Sequence, residues 1–140
     1  MNKALKYKKV GNSIIITKCE SNAVGKLVVP NEIDGLPVIV VNDWAFQDCD
    51  SLTSITMSDN IVSIGDGAFC GCVGLTSLSL PNSITSIGIC AFDGCTGLTS
   101  VTLPSNLTAI GEGAFDCCPD LDSIALPESV AYIGKYKIFS

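Results

Sequence analysis

Apolar residues recur along this chain with a period of 23. Ala45-Phe46, Ala68-Phe69, Ala91-Phe92 and Ala114-Phe115 hold one register, and Cys49, Cys72, Cys95 and Cys118 hold another. Leu52, Leu75, Leu98 and Leu121 keep the same step, as do Ile55, Leu78, Val101 and Ile124, and then Ile64, Ile87, Ile110 and Ile133. A fixed period in so many registers is the mark of stacked supersecondary units. Within a unit, Leu98-Thr-Ser-Val101-Thr-Leu103 alternates apolar and hydroxyl side chains, which predicts a half-buried strand. Proline ends it at Pro81, Pro104 and Pro127, with Ser58 in that place once, because a residue without an N–H cannot continue a ladder. A second apolar pair, such as Leu107 and Ile110, leads to Gly111, and Ala114-Phe115 then predicts a short helical turn. One unit cannot hide Leu, Val, Leu, Ile and Phe by itself. Stacked units can, with parallel strands about 4.8 Å apart.

The flanks depart from the period. Tyr7–Val10 and Ile14–Thr17 flank Gly11-Asn12, which predicts a lysine-rich hairpin cap over residues 1–23 that blocks the first open edge. Residues 24–51 make a first unit five residues longer than the others, with the excess around the turn-rich stretch Glu32-Ile-Asp-Gly-Leu-Pro37. Regular units follow at 52–74, 75–97 and 98–120. Residues 121–140 form an incomplete terminal unit, in which Lys137-Ile138-Phe139 replaces the Ala-Phe pair. The whole chain thus reads as a single domain whose C-terminal edge invites self-association.

The unit Leu-Thr-Ser-Val-Thr-Leu-Pro-Ser-Asn-Leu-Thr-Ala-Ile-Gly-Glu-Gly-Ala-Phe-Asp-Cys-Cys, residues 98–118, resembles the BspA-type leucine-rich repeat. Val29-Pro-Asn-Glu-Ile-Asp-Gly-Leu-Pro37 with Trp44-Ala-Phe46 is similar to the first repeat of that family, and the resemblance covers about residues 24–134. It implies a leucine-rich-repeat solenoid, a right-handed β/α superhelix of short parallel strands and short helical turns behind the hairpin cap. It also implies a protein-interaction role, since members of the family occur on bacterial and protist surfaces and several act there as adhesins.

Composition narrows the reading. Apolar residues make up 47% of the chain and charged ones 16%, which excludes a disordered segment. Six of the eight lysines fall in residues 1–26, whereas residues 27–134 hold thirteen acids and no lysine. Such a surface repels phosphate backbones and disfavours nucleic acid as a partner. No run approaches 18 apolar residues, so membrane insertion is not expected. The basic stretch Met1–Val10 has no long apolar segment behind it and shows no signal-peptide pattern. The residues leave the compartment open, and the resemblance implies a surface or secreted protein.

Catalytic chemistry finds little to work with. Histidine is absent, which removes the commonest general base, the commonest partner of a Ser or Cys nucleophile and the commonest metal ligand. No enzyme and no cofactor are expected. Cys49, Cys72, Cys95 and Cys118 stand in equivalent places, so they form a row with steps of about 5 Å. Such a row cannot converge on one zinc ion, whose sulfur ligands lie about 2.3 Å away, and a buried ladder of free thiols is the expectation. Cys70, Cys90 and Cys117 fall at positions held by other residues in sister repeats and are expected near the surface. The aspartates Asp43, Asp48 and Asp50, and Asp116, Asp120 and Asp122, lack calcium-loop spacing and read as solvated turn carboxylates.

The strand residues that point away from the core are Ser54 and Thr56, Ser77 and Ser79, Ser100 and Thr102, and Ser123 and Ala125. They are expected along the inner face of the curve, small, neutral and almost all hydroxyl-bearing, either satisfying one another as a ladder or meeting a protein ligand. Trp44 near one end and Tyr136 near the other are the candidate aromatic contacts, Trp44 also reading as a residue packed against the cap. Two functional classes follow: a non-catalytic interaction module, adhesin-like if exported, and an oligomerising unit that associates through its C-terminal edge.

Overall fold

A computed structural model describes residues 4–121 and the backbone of residues 132–133. Ser123, Ala125 and Tyr136, together with the C-terminal edge, lie outside the described residues. The chain opens with an antiparallel hairpin of β1 (Leu5–Val10) and β2 (Ser13–Cys19), in which Val10 faces Ser13 across the Gly11-Asn12 turn. Strand β2 then pairs in parallel with β5 (Leu36–Val41), so the hairpin covers the first edge of the repeat stack. The five extra residues of the first unit fold as a second small hairpin. Here β4 (Glu32–Ile33) returns onto β5 through Asp34 and Gly35, both at positive φ, as a tight two-residue hairpin turn requires.

Each repeat contributes two strand segments. The predicted one appears as β6 (Leu52–Thr56), β8 (Ser77–Ser79) and β10 (Ser100–Thr102), with β3 (Gly25–Val28) as its counterpart in the first unit. The other is only two residues long: β7 (Ser63–Ile64), β9 (Ser86–Ile87), β11 (Ala109–Ile110) and β12 (Tyr132–Ile133). These short pieces form the continuous sheet of the molecule, in the order β1-β2-β5-β7-β9-β11-β12. Between the two layers lies one core. Phe46, Phe69, Phe92 and Phe115 are fully buried and stack ring on ring, with centroids 4.8, 5.2 and 5.2 Å apart. Leu52, Leu75 and Leu98, with Ile61 and Ile84, fill the space beside them.

The helical turns expected at Ala-Phe are not formed, and among the described residues there is no helix. The backbone gives the reason. Each of the four described units carries two left-handed residues in this stretch: Trp44, Gly67, Cys90 and Gly113 at the first position, and Asp48, Gly71, Gly94 and Cys117 at the second. A helix needs consecutive residues near φ of about −60°, so the segment becomes chained four-residue turns instead, as in Ala45 N–H to Asn42 O, Gln47 N–H to Trp44 O and Cys49 N–H to Phe46 O. Between those turns the free amides reach across to the next repeat. The N–H groups of Phe46, Phe69 and Phe92 donate to the carbonyls of Ala68, Ala91 and Ala114, each at 2.7 Å.

Side chains repeat the same translation. Asp43 Oδ1 accepts the N–H of Asp66, and Asp66 Oδ1 accepts the N–H of Ile89, both at 2.8 Å. The hydroxyls of Thr99 and Thr108 donate at 3.0 Å to the carbonyls of Thr76 and Thr85, 23 residues earlier. Two of the aspartates read as turn carboxylates or their sister positions thus bridge adjacent repeats. The aspartate ladder stops at Ile89, an exposed apolar side chain standing where Asp43 and Asp66 stand. Ile89→Asn restores an acceptor for the N–H of Glu112 without adding charge. It should raise stability by about 0.5–1.5 kcal/mol, the net value of one hydrogen bond, read as a shift in urea midpoint. Asp66→Asn should leave the midpoint nearly unchanged, and Asp66→Ala should lower it.

Candidate functional site

Positions i and i+2 of each long strand share a face, and the pairing register lines them up. Lys26 lies beside Ser54 and Val28 beside Thr56, while Ser77 lies beside Ser100 and Ser79 beside Thr102. Ser54, Thr56, Ser77, Ser79, Ser100 and Thr102 therefore share one surface, and all but the half-buried Ser54 are exposed. Their hydroxyls make no protein hydrogen bond among the described residues. The threonine hydroxyls that do bridge repeats belong to Thr85, Thr99 and Thr108, which stand outside this set. A mutual ladder of strand hydroxyls is not formed, and the face keeps its donors and acceptors for solvent or a ligand.

The first rung of that face is Lys26 with Val28, and the sequence reading missed it. The signal was present: Leu27 and Val29 align with Ile55 and Met57 as buried alternating residues. The five-residue excess of this unit hides the alignment. Val28 is 60% exposed, the largest apolar side chain on the face.

A cleft of about 380 Å³ opens between β6 and β8. The hydroxyls of Ser54, Thr56, Ser77 and Ser79 and the carboxylate of Asp59 line it, over the buried side chains of Ile55 and Met57. Ser100 and Thr102 continue the surface beyond the cleft. Trp44 does not line it. The indole stands in the turn region at φ 60°, half exposed, and lies flat over Gly67, where a Cβ would come within 2.2 Å of the ring. Trp44 thus packs on the following repeat while half of it stays accessible to solvent.

The cysteines form a second constellation. Cys72, Cys95 and Cys118 are buried, and each Sγ donates to the carbonyl of the phenylalanine one repeat earlier, at 3.1, 3.2 and 3.3 Å. At the head of the row Cys49 Sγ reaches the carbonyl of Cys19 at 3.7 Å, because Cys19 occupies the phenylalanine position of the cap. Its N–H bonds Ala45 O at 2.7 Å, as Phe46 N–H bonds Ala68 O. Burial pushes Cys72 up to about 12 and Cys118 up to about 11, and raises Cys95 as well. Cys19, hydrogen-bonded to Cys49 and buried, is also pushed up. Of the remaining three, Cys117 is exposed and Cys70 and Cys90 are half-buried. Burial raises Cys70 and Cys90, and the neighbouring Asp93 carboxylate raises Cys117. No disulfide joins any of the eight cysteines, and the raised members are held in the protonated form, which is the weaker nucleophile and metal ligand.

Residues 24–140 match the BspA type leucine rich repeat region in six copies. The chain belongs to this leucine-rich-repeat family. A leucine-rich repeat protein of T. pallidum (TpLRR) is 35% identical, with a TM-score of 0.90 over 94% of this chain and 62% of that one. The chain therefore spans somewhat less than two thirds of that relative's length. A leucine-rich repeat protein of Bacteroides capillosus (22% identity, TM-score 0.57) covers 96% of this chain and 86% of its own. The pneumococcal vaccine antigen PcpA (17% identity, TM-score 0.61) covers 99% of this chain and 47% of its own. These last two share the fold alone. No curated protein matches the chain.

The thiol row makes stability depend on pH. Cys72 and Cys118 ionise near 9 when unfolded but near 12 and 11 when folded, so the folded state holds more protons in that interval. Their contribution is fully present below pH 9 and is lost as pH rises through the folded values. Urea midpoints should fall steadily between pH 9 and 11. Cys72→Ala with Cys118→Ala should flatten that alkaline slope even though it lowers the midpoint at pH 7.

Proposed function

We propose that this chain is a non-catalytic protein-interaction module of the leucine-rich-repeat type, adhesin-like where it is exported, that meets its partner on the hydroxyl face. The observation that carries the reading is the row of strand hydroxyls left without protein partners, in a molecule where Asp43, Asp66, Thr85, Thr99 and Thr108 do bridge repeats with their side chains. Solvated hydroxyls on a rigid, regularly spaced frame offer directional contacts at little conformational cost, since the strands are ordered before binding. The Lys26–Val28 rung adds a cation and an apolar contact at one end of the face. Family membership supports an interaction role, and no group of residues on this face has the nucleophile-and-base geometry of a catalytic site. Among the described residues no helix is long and apolar enough to cross a membrane.

Panning a random peptide-display library against the immobilised full-length protein tests the reading. Enriched peptides should lose at least about tenfold in affinity when Ser77, Ser79, Ser100 and Thr102 are all changed to alanine, the loss expected from several hydrogen bonds at once. Thermal midpoint and circular dichroism serve as controls for folding. Binders whose affinity ignores the quadruple change, or a library that yields none, would contradict the reading.

A further inference from the structure

The long strands do not form one sheet. Strand β3 pairs with β6 and β8 pairs with β10, but among the described residues no backbone hydrogen bond joins β6 to β8. On the opposite side of the same two repeats the ladder is closed, with Thr85 N–H to Val62 O at 2.9 Å and Gly88 N–H to Ile64 O at 2.9 Å. The break is therefore local to the hydroxyl face. Its orientation follows from the bonds around it. Thr56 O accepts from Val29, so Thr56 and Ser54 turn their peptide groups to β3, and Ile55 and Met57 turn theirs to the break. Leu80 N–H donates to Thr102 O, so the even residues of β8 face β10, and the peptide groups of Ser77 and Ser79 face the break from the other side. The cleft of about 380 Å³ sits on this line.

We infer that the break between β6 and β8 is a peptide-binding cleft that takes a short extended segment carrying a lysine or arginine; the inference rests on the hydroxyl face being the binding surface. A segment laid along the cleft exchanges hydrogen bonds with the peptide groups of Ser77 and Ser79 and with the hydroxyls of Ser54 and Thr56. Charge selects its side chain. Asp59 is the charged residue of the lining, and apart from Lys26 on the neighbouring strand β3 the body is acidic, with thirteen acids and no lysine in residues 27–134, so a cation is favoured over an anion. The volume lies at the lower end of the roughly 300–1,000 Å³ that small-ligand sites occupy. The lining holds no aromatic ring on which a sugar could stack, which sets a peptide ahead of a carbohydrate.

Two variants of the full chain separate the cleft from the face as a whole. Ser79→Pro deletes a peptide N–H that no ladder bond uses, and edge positions of this kind tolerate proline. Asp59→Asn removes the charge while keeping the shape. Peptides enriched on the wild-type chain should be rich in Lys or Arg. They should bind Ser79→Pro about five- to tenfold more weakly, bind Asp59→Asn about three- to fivefold more weakly, and lose that second difference in high salt. Should Ser79→Pro fail to fold by circular dichroism, Asp59→Asn and the Lys→Gln version of an enriched peptide carry the test. Enriched peptides without cations, or full affinity for Asp59→Asn, overturn the inference. If the loss appears only on changing Ser100 and Thr102, the hydroxyl-face reading stands and the cleft does not. Indifference to every variant ends both.

Discussion

At the centre of each contact between repeats lies a short backbone bond beside an aromatic stack. The amides of Phe46, Phe69 and Phe92 reach forward to the alanine carbonyls of the following units at 2.7 Å, while the phenyl rings of those residues lie on one another at about 5 Å. The two are coupled by geometry. The left-handed residues on either side of Ala-Phe free the phenylalanine amide from helix formation, and the ring, aimed inward, can be covered only by its neighbours. Holding residues other than glycine in that conformation, as at Trp44, Asp48, Cys90 and Cys117, costs about 1–2 kcal/mol each. Dispersion and apolar burial along a stack this regular offset such costs, because truncating a buried phenylalanine costs about 3–5 kcal/mol.

From that spine the rest follows. The thiols of Cys72, Cys95 and Cys118 sit where the phenylalanine carbonyls still have a lone pair, and their small size leaves the rings in register. Cys19 ends the stack at the cap, where a further phenyl ring would have no neighbour on its outer side. The spine also fixes spacing on the far side of the core. There the long strands need not close into a sheet for the stack to hold, and between β6 and β8 they do not. A rigid back and a partly open front distinguish this solenoid from a uniform barrel of ladders.

Much of this was legible in the sequence. The 23-residue step located the phenylalanine row, the buried cysteines, the long strands and the outward serines and threonines, because burial alternates with period two wherever one face of a strand is covered. The hairpin over Gly11-Asn12 was legible for the same reason. Other features were not, each for a physical cause. The two-residue strands at Ser63–Ile64 and its sisters are too short for any alternation to show. The Ala-Phe segment looked helical because left-handed backbone leaves no trace in a pattern of hydrophobicity, and only Gly67 and Gly71 among its eight left-handed positions in the described repeats hinted at it twice within one unit. Thiol-to-carbonyl bonds and the break between β6 and β8 depend on distances between repeats, which a per-repeat pattern cannot register. Lys26 and Val28 were hidden by the five extra residues of the first unit.

Amide hydrogen exchange on the full chain, resolved by residue, tests the division between spine and front most directly. The amides of Phe46, Phe69 and Phe92 should exchange only with global unfolding, while those of Ser77 and Ser79 should exchange orders of magnitude faster than their ladder-bonded neighbour Leu80. Protection at Ser77 and Ser79 equal to that at Leu80 would show a closed sheet and contradict that division.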